Sequence, residues 1–137
     1  MGVNHRISEH LTWEEVRCKC RAESPSSHCD GGVPRHETVE LFERIRRRCS
    51  ERIGRDCPLK VNSGVRCAVH NLRVGGAPDS EHLTGRALDL RCPDSLSLPE
   101  FWCICEEEVA VGGFGAYPWG AHVDTALSDP PRRWTGK

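Results

Sequence analysis

The chain reads as an α+β domain: a small, mainly antiparallel sheet with flanking helices on one side. Three observations predict this. Apolar residues recur at helical spacing over 34–53, where Val39, Phe42, Ile45 and Cys49 mark one face. A second helix over 98–109 is announced by Ser97 as N-cap and Pro99 in the first turn. Between and after these lie short strand-like segments separated by Gly, Pro and Ser breakers.

In chain order, Thr12-Trp13-Glu14-Glu15 reads as a short helix with Thr12 as N-cap and Glu15 closing a capping box. Residues 18–34 form a loop rich in Ser, Gly and Cys. The helix from Pro34 to Ile53 is stopped by Gly54. Leu59-Lys60-Val61-Asn62 is a strand entering a Ser63-Gly64 turn. A short helix over 67–73 is stopped by Gly75-Gly76, and Arg86 to Arg91 is a strand. Two further strands, at 114–117 and 121–125, complete a single domain over 1–128. Residues 129–137, rich in Pro and Arg, are expected to be a loose C-terminal tail. No internal repeat is visible.

At 137 residues the chain can build one core but not two. Its 19 basic and 20 acidic residues nearly cancel, which argues against electrostatic capture of nucleic acid. Arg44-Ile45-Arg46-Arg47-Arg48 is the one basic cluster. It lies with Glu40, Glu43 and Glu51 on a helix and reads as a solvated, salt-bridged face. Glu106, Glu107 and Glu108 are likewise expected to face solvent. No apolar run has the length of a membrane span. The first ten residues hold no apolar signal region, so export by the usual signal is not expected and the chain is cytoplasmic as synthesised. A monomer is expected.

The chemistry concentrates in Ser80-Glu81-His82-Leu83-Thr84-Gly85-Arg86-Ala87-Leu88-Asp89 and in His122-Val123-Asp124. Catalytic zinc is usually held by three groups drawn from His and Asp/Glu, with one position left for water. Side chains alternate along a strand, so Ala87, Asp89 and Arg91 share one face, as do His122 and Asp124. Three or four ligands can thus converge from two neighbouring strands. A His and an Asp close in sequence also form ordinary surface pairs, and only the surroundings decide between the two readings.

Those surroundings are specific. Val61-Asn62-Ser63-Gly64-Val65-Arg66-Cys67, His70-Asn71, Val74-Gly75-Gly76-Ala77 and Ser80-x-His82-x-x-Gly85-x-Ala87-x-Asp89 resemble the zinc D-Ala-D-Ala carboxypeptidases. These share a fold with L-alanyl-D-glutamate endopeptidases of phages and with the zinc domain of hedgehog proteins. Phe114-Gly115-x-Tyr117-Pro118 and His122-Val123-Asp124 are similar to the closing motif of one subgroup. The likeness runs from about residue 11 to about residue 125. It implies Zn²⁺ held by His82, Asp89 and His122, Arg66 as a substrate-binding residue, and peptidoglycan stem peptides as the partner. A phage-type enzyme released to the cell wall is one route to that substrate.

Peptide hydrolysis needs a base to move the proton of the attacking water to the leaving amine. In the carboxypeptidase branch this is a Glu three residues before the last His, a place taken here by Trp119. Asp124 is the nearest acid, either as that base or as a carboxylate steadying a ligand. The Arg66 guanidinium suits a substrate carboxylate through two parallel hydrogen bonds. Ser63 and Ser80 are candidates for further substrate donors, and Tyr117 either meets the oxyanion or closes the rim. His70 is read as a helix-surface residue.

Nine cysteines stand outside this motif. Cys18-x-Cys20, with His28-Cys29, supplies soft ligands for a candidate second, structural zinc, which Cys67 or Cys92 would complete. Unpaired and disulfide-linked thiols are the alternatives. Cys103 and Cys105 point apart on a helix, and Cys49, Cys57 and Cys103 read as small buried residues. Three functions compete: a zinc peptidase acting on D-amino-acid peptides, a zinc-containing binding module without turnover, and a domain whose His82, Asp89 and His122 are only polar cleft residues.

Overall fold

A computed structural model describes residues 5–24 and 29–137. His28 lies outside the described residues. The chain opens with β1 (Arg6–Ser8) and β2 (Leu11–Thr12), a small antiparallel pair, followed by α1 (Trp13–Val16) and α2 (Cys20–Glu23). The capping box at α1 forms as the residues demand, with Thr12 N–H donating to Glu15 Oε1 at 2.9 Å. The long α3 (His36–Ile53) buries Val39, Leu41, Phe42, Ile45 and Cys49 and ends at Gly54, whose φ of 75° lies in the left-handed region that glycine tolerates.

A five-stranded sheet then builds from β3 (Val61–Ser63), β4 (Ala87–Arg91), β5 (Phe114–Tyr117), β6 (Gly120–Asp124) and β7 (Arg133–Thr135), in the order β3-β4-β6-β5-β7. All pairings are antiparallel except β5 with β7. Between β3 and β4 lie α4 (Ala68–Arg73) and one 3-10 turn, Glu81–Thr84. Between β4 and β5 runs α5 (Leu98–Val109), whose Ser97 Oγ accepts the Glu100 N–H at 3.2 Å while Pro99 sits in the first turn.

Alternation divides the sheet into two faces. Leu88, Leu90, Ala121, Val123 and Phe114 point into the core shared with Phe42, Ile45, Phe101, Ile104 and Cys105 of α3 and α5. Ala87, Asp89, His122, Gly115 and Trp134 occupy the other face, so the helices shield one side and leave chemistry to the other.

Five expectations change. Residues 133–135 are no loose tail: β7 pairs with β5 in register Phe114↔Arg133, Gly115↔Trp134, Ala116↔Thr135, because the edge of β5 offers unpaired backbone groups. The basic face of α3 is salt-bridged, but across to α5. Arg44 meets Glu108 at 3.0 Å and Arg48 meets Glu107 at 2.7 Å and Glu108 at 3.2 Å. Of the α5 glutamates, Glu106 and Glu107 are exposed as expected, Glu106 held by Arg133 at 3.0 Å, whereas Glu108 is half-buried. His70 is buried at 4 % exposure, its Nδ1 3.5 Å from Glu23, and Cys103 is exposed, on the opposite side of α5 from buried Cys105. No helix among the described residues is long and apolar enough to cross a membrane.

Candidate metal centre

The register Asp89↔His122 between β4 and β6 sets a carboxylate and an imidazole side by side on the open face. His82 comes to them from the 3-10 turn. Gly85 closes that turn at φ 73°, and an added Cβ there would lie 2.9 Å from Val33 O, so glycine is required on both counts. The backbone reinforces the approach, since Arg66 N–H donates to His82 O at 3.0 Å.

Hydrogen bonds select the inward-facing nitrogens. His82 Nδ1 lies 2.6 Å from Gly64 O, an acceptor that requires Nδ1 to carry the proton, which leaves Nε2 turned toward Asp89 Oδ1 at 3.1 Å. His122 Nε2 lies 2.8 Å from Asp124 Oδ2, leaving Nδ1 turned toward the same Asp89 Oδ1, also at 3.1 Å. The ligand atoms of His82, Asp89 and His122 lie within 4.8 Å of one another. Tetrahedral zinc with bonds of about 2.0 Å separates its ligand atoms by about 3.3 Å, so this set fits the ion with little movement.

The charges agree. Burial pushes the Asp89 carboxyl up, but the facing imidazoles of His122 and His82, when they carry a second proton, outweigh it and hold the group ionised, well below the usual carboxylate range. For Asp124, burial is again opposed by His122 and by Arg132, leaving it at about 2.

Asp124 does not face the three ligands' opening. It is fully buried and accepts from Gly113 N–H and Ala126 N–H, each at 3.0 Å, from the Arg132 guanidinium, and from His122. Of the two roles the sequence left open, this geometry fits the carboxylate that steadies a ligand better than the proton-accepting base.

Arg66 extends over the site with its side chain 13 % exposed. It is held by Ser63 Oγ at 3.1 Å, Asn71 Oδ1 at 3.1 Å and Asp89 Oδ2 at 3.3 Å. Ser63 thus orients Arg66, and Ser80 caps the 3-10 turn by accepting the His82 N–H at 3.2 Å. Tyr117 stacks on Trp119 at 4.7 Å, and its hydroxyl accepts the Trp134 indole N–H at 2.9 Å, which leaves its own proton to donate. A cleft of about 660 Å³ opens above, lined by Arg66, Gly76, Ser80, Tyr117, Trp119 and Trp134 among others.

Two contributors, Trp134 and Arg132, escaped the sequence reading, and a third, Asn71, stood in a quoted motif without a role. Trp134 covers His122 with ring centroids 5.0 Å apart, and it fits because Gly115 beneath it has no side chain: a Cβ there would lie 2.5 Å from the indole. Arg132 locks Asp124. Asn71 holds Arg66, and an added Cβ at Gly76 would lie 2.1 Å from its Oδ1. The glycines at 113, 115 and 76 were the available signal.

Residues 9–125 match the family model described as Peptidase M15. The chain belongs to that family. Zinc is the cofactor of this family of metallopeptidases, and His82, Asp89 and His122 are the group fitted to hold it. No curated protein gives a significant match. Arg132 and Trp134 lie beyond the matched residues.

Proposed function

We propose that this metallopeptidase hydrolyses D-amino-acid-containing bonds in peptidoglycan stem peptides, as a carboxypeptidase or an endopeptidase. The observation that carries the proposal is Arg66, a nearly buried guanidinium aimed across an open cleft beside a His-Asp-His centre. Zinc bound there polarises a carbonyl and lowers the pKa of its water. Arg66 takes a substrate carboxylate as a two-pronged donor, exchanging its single contact to Asp89 Oδ2 for that charge. Tyr117 donates its hydroxyl proton to the developing oxyanion. Trp119 and Trp134 shield the reacting carbonyl from bulk water.

Among the described cleft residues, the acids other than Asp89 are Asp79 and Glu81. With Trp119 at the usual acid's position and Asp124 sealed, this observation favours a second reading, a zinc-containing binding module without turnover.

The two are separated by incubating a muramyl pentapeptide with wild type and His82→Ala while measuring zinc. The peptidase predicts cleavage by wild type, and loss of both cleavage and one zinc per chain in the variant. The released fragment names the bond. Full zinc without cleavage would leave the binding module.

A further inference from the structure

We propose that Cys18, Cys20, Cys29 and Cys67 form a second zinc site, a closed four-thiolate centre that braces the backbone carrying Arg66 and supporting His82. This inference is independent of the proposed peptidase activity. The four Sγ atoms, drawn from three separate parts of the chain, lie within 4.8 Å of one another. Zinc–thiolate bonds of about 2.3 Å place sulfurs about 3.8 Å apart, so a small inward shift completes a tetrahedron.

Backbone donors already aim at these sulfurs. Cys67 N–H donates to Cys18 Sγ at 3.3 Å, His70 N–H to Cys67 Sγ at 3.4 Å, and Gly31 N–H to Cys29 Sγ at 3.3 Å. Such bonds stabilise the negative charge that a metal-bound sulfur carries and fix the ligand's direction. Cys67, and not Cys92, completes the set. The Cys92 thiol donates to Pro93 O at 3.5 Å and Leu96 O at 3.6 Å, away from the cluster.

The location gives the site its purpose. Cys18 N–H donates to Gly31 O at 2.7 Å, and Val65 N–H to Val16 O at 2.8 Å, so the cluster ties the loop after α1 to the 64–67 turn. Gly64 packs so tightly there that a Cβ would lie 2.3 Å from Val16 O. That turn supplies Gly64 O to His82 Nδ1, and Arg66 precedes Cys67 directly. A metal that fixes Cys67 to Cys18 therefore fixes the catalytic centre's support from behind. All four ligands are protein sulfurs, which makes this a closed structural centre, whereas the His-Asp-His set keeps a position open.

The test loads Co²⁺ into wild type, His82→Ala/His122→Ala and Cys18→Ser/Cys67→Ser, with metal stoichiometry measured on each. Wild type is expected to hold two equivalents and each double variant one. The intense near-ultraviolet sulfur-to-cobalt band should persist in the histidine variant, which leaves every cysteine intact. In the cysteine variant the band should vanish. Absence of that band from the histidine variant overturns the proposal, as does quantitative alkylation of all four cysteines in metal-replete protein or mass-spectrometric detection of disulfides among them. Failure to cleave peptide leaves these readouts untouched.

Discussion

Four donors converge on the Asp124 carboxylate, and a group so fully satisfied is placed to hold the His122 ring. Asp124→Asn should weaken zinc binding at the His-Asp-His centre by about 10–100-fold, as loss of a ligand's hydrogen-bond partner typically does. Competition against a chelator measures this, and unchanged affinity would refute the orienting role. Gly115→Ala should drive the Trp134 indole off His122 and destabilise the fold by about 1–3 kcal/mol, the usual range for overpacking. Denaturant unfolding and indole fluorescence read the two effects. Strand alternation made the grouping of Asp89 with His122 and Asp124 legible in the sequence, and the family resemblance singled out His82, Asp89 and His122 among the candidates. The role of Asp124 was not legible, since it depends on Arg132 and Gly113 meeting it through tertiary contacts.

At the level of elements, the first hairpin is fastened to α3 by one carboxylate. Glu43 accepts from Ser8 Oγ at 2.5 Å and His10 N–H at 2.8 Å, and contacts His10 Nδ1 at 2.7 Å. Burial pushes the Glu43 carboxyl up, but the bonds from Ser8 and His10 outweigh it and the net shift is downward. A lowered folded-state pKa stabilises the docked hairpin above the ordinary glutamate range and loses that stabilisation as pH falls below it. Hydrogen exchange of β1 and β2 should therefore accelerate between about pH 4.5 and lower values, and Glu43→Gln should flatten that dependence. Within the core, Phe42→Ala should cost about 3–5 kcal/mol by emptying the α3–α5 interface. Both long helices were readable from caps and spacing. The elements that were missed (β1, β2, α2, the 3-10 turn and β7) have two to four residues, too few to show a period.

Taken whole, the molecule uses α3 and α5 to bury one sheet face, and the segment between β3 and β4 together with the C-terminal residues to furnish the other. Truncation after residue 128 should leave α3, α5 and the four central strands folded, since their shared core lies on the opposite face. It should also expose Asp124 and His122, lower zinc affinity and remove the Trp134 wall of the cleft. Circular dichroism with zinc titration separates these outcomes, and global unfolding would show β7 to be a folding element instead. Antiparallel topology followed from the order of strands and breakers. The parallel β7 did not, because pairing at a sheet edge is chosen by what backbone is left exposed. That edge also constrains how the protein can be handled or joined to others. Lys137 lines the cleft, so any fusion, tag or further chain attached there leaves from its mouth and competes with incoming peptide. Residues 5–10, docked on α3 through Glu43, line no part of that cleft.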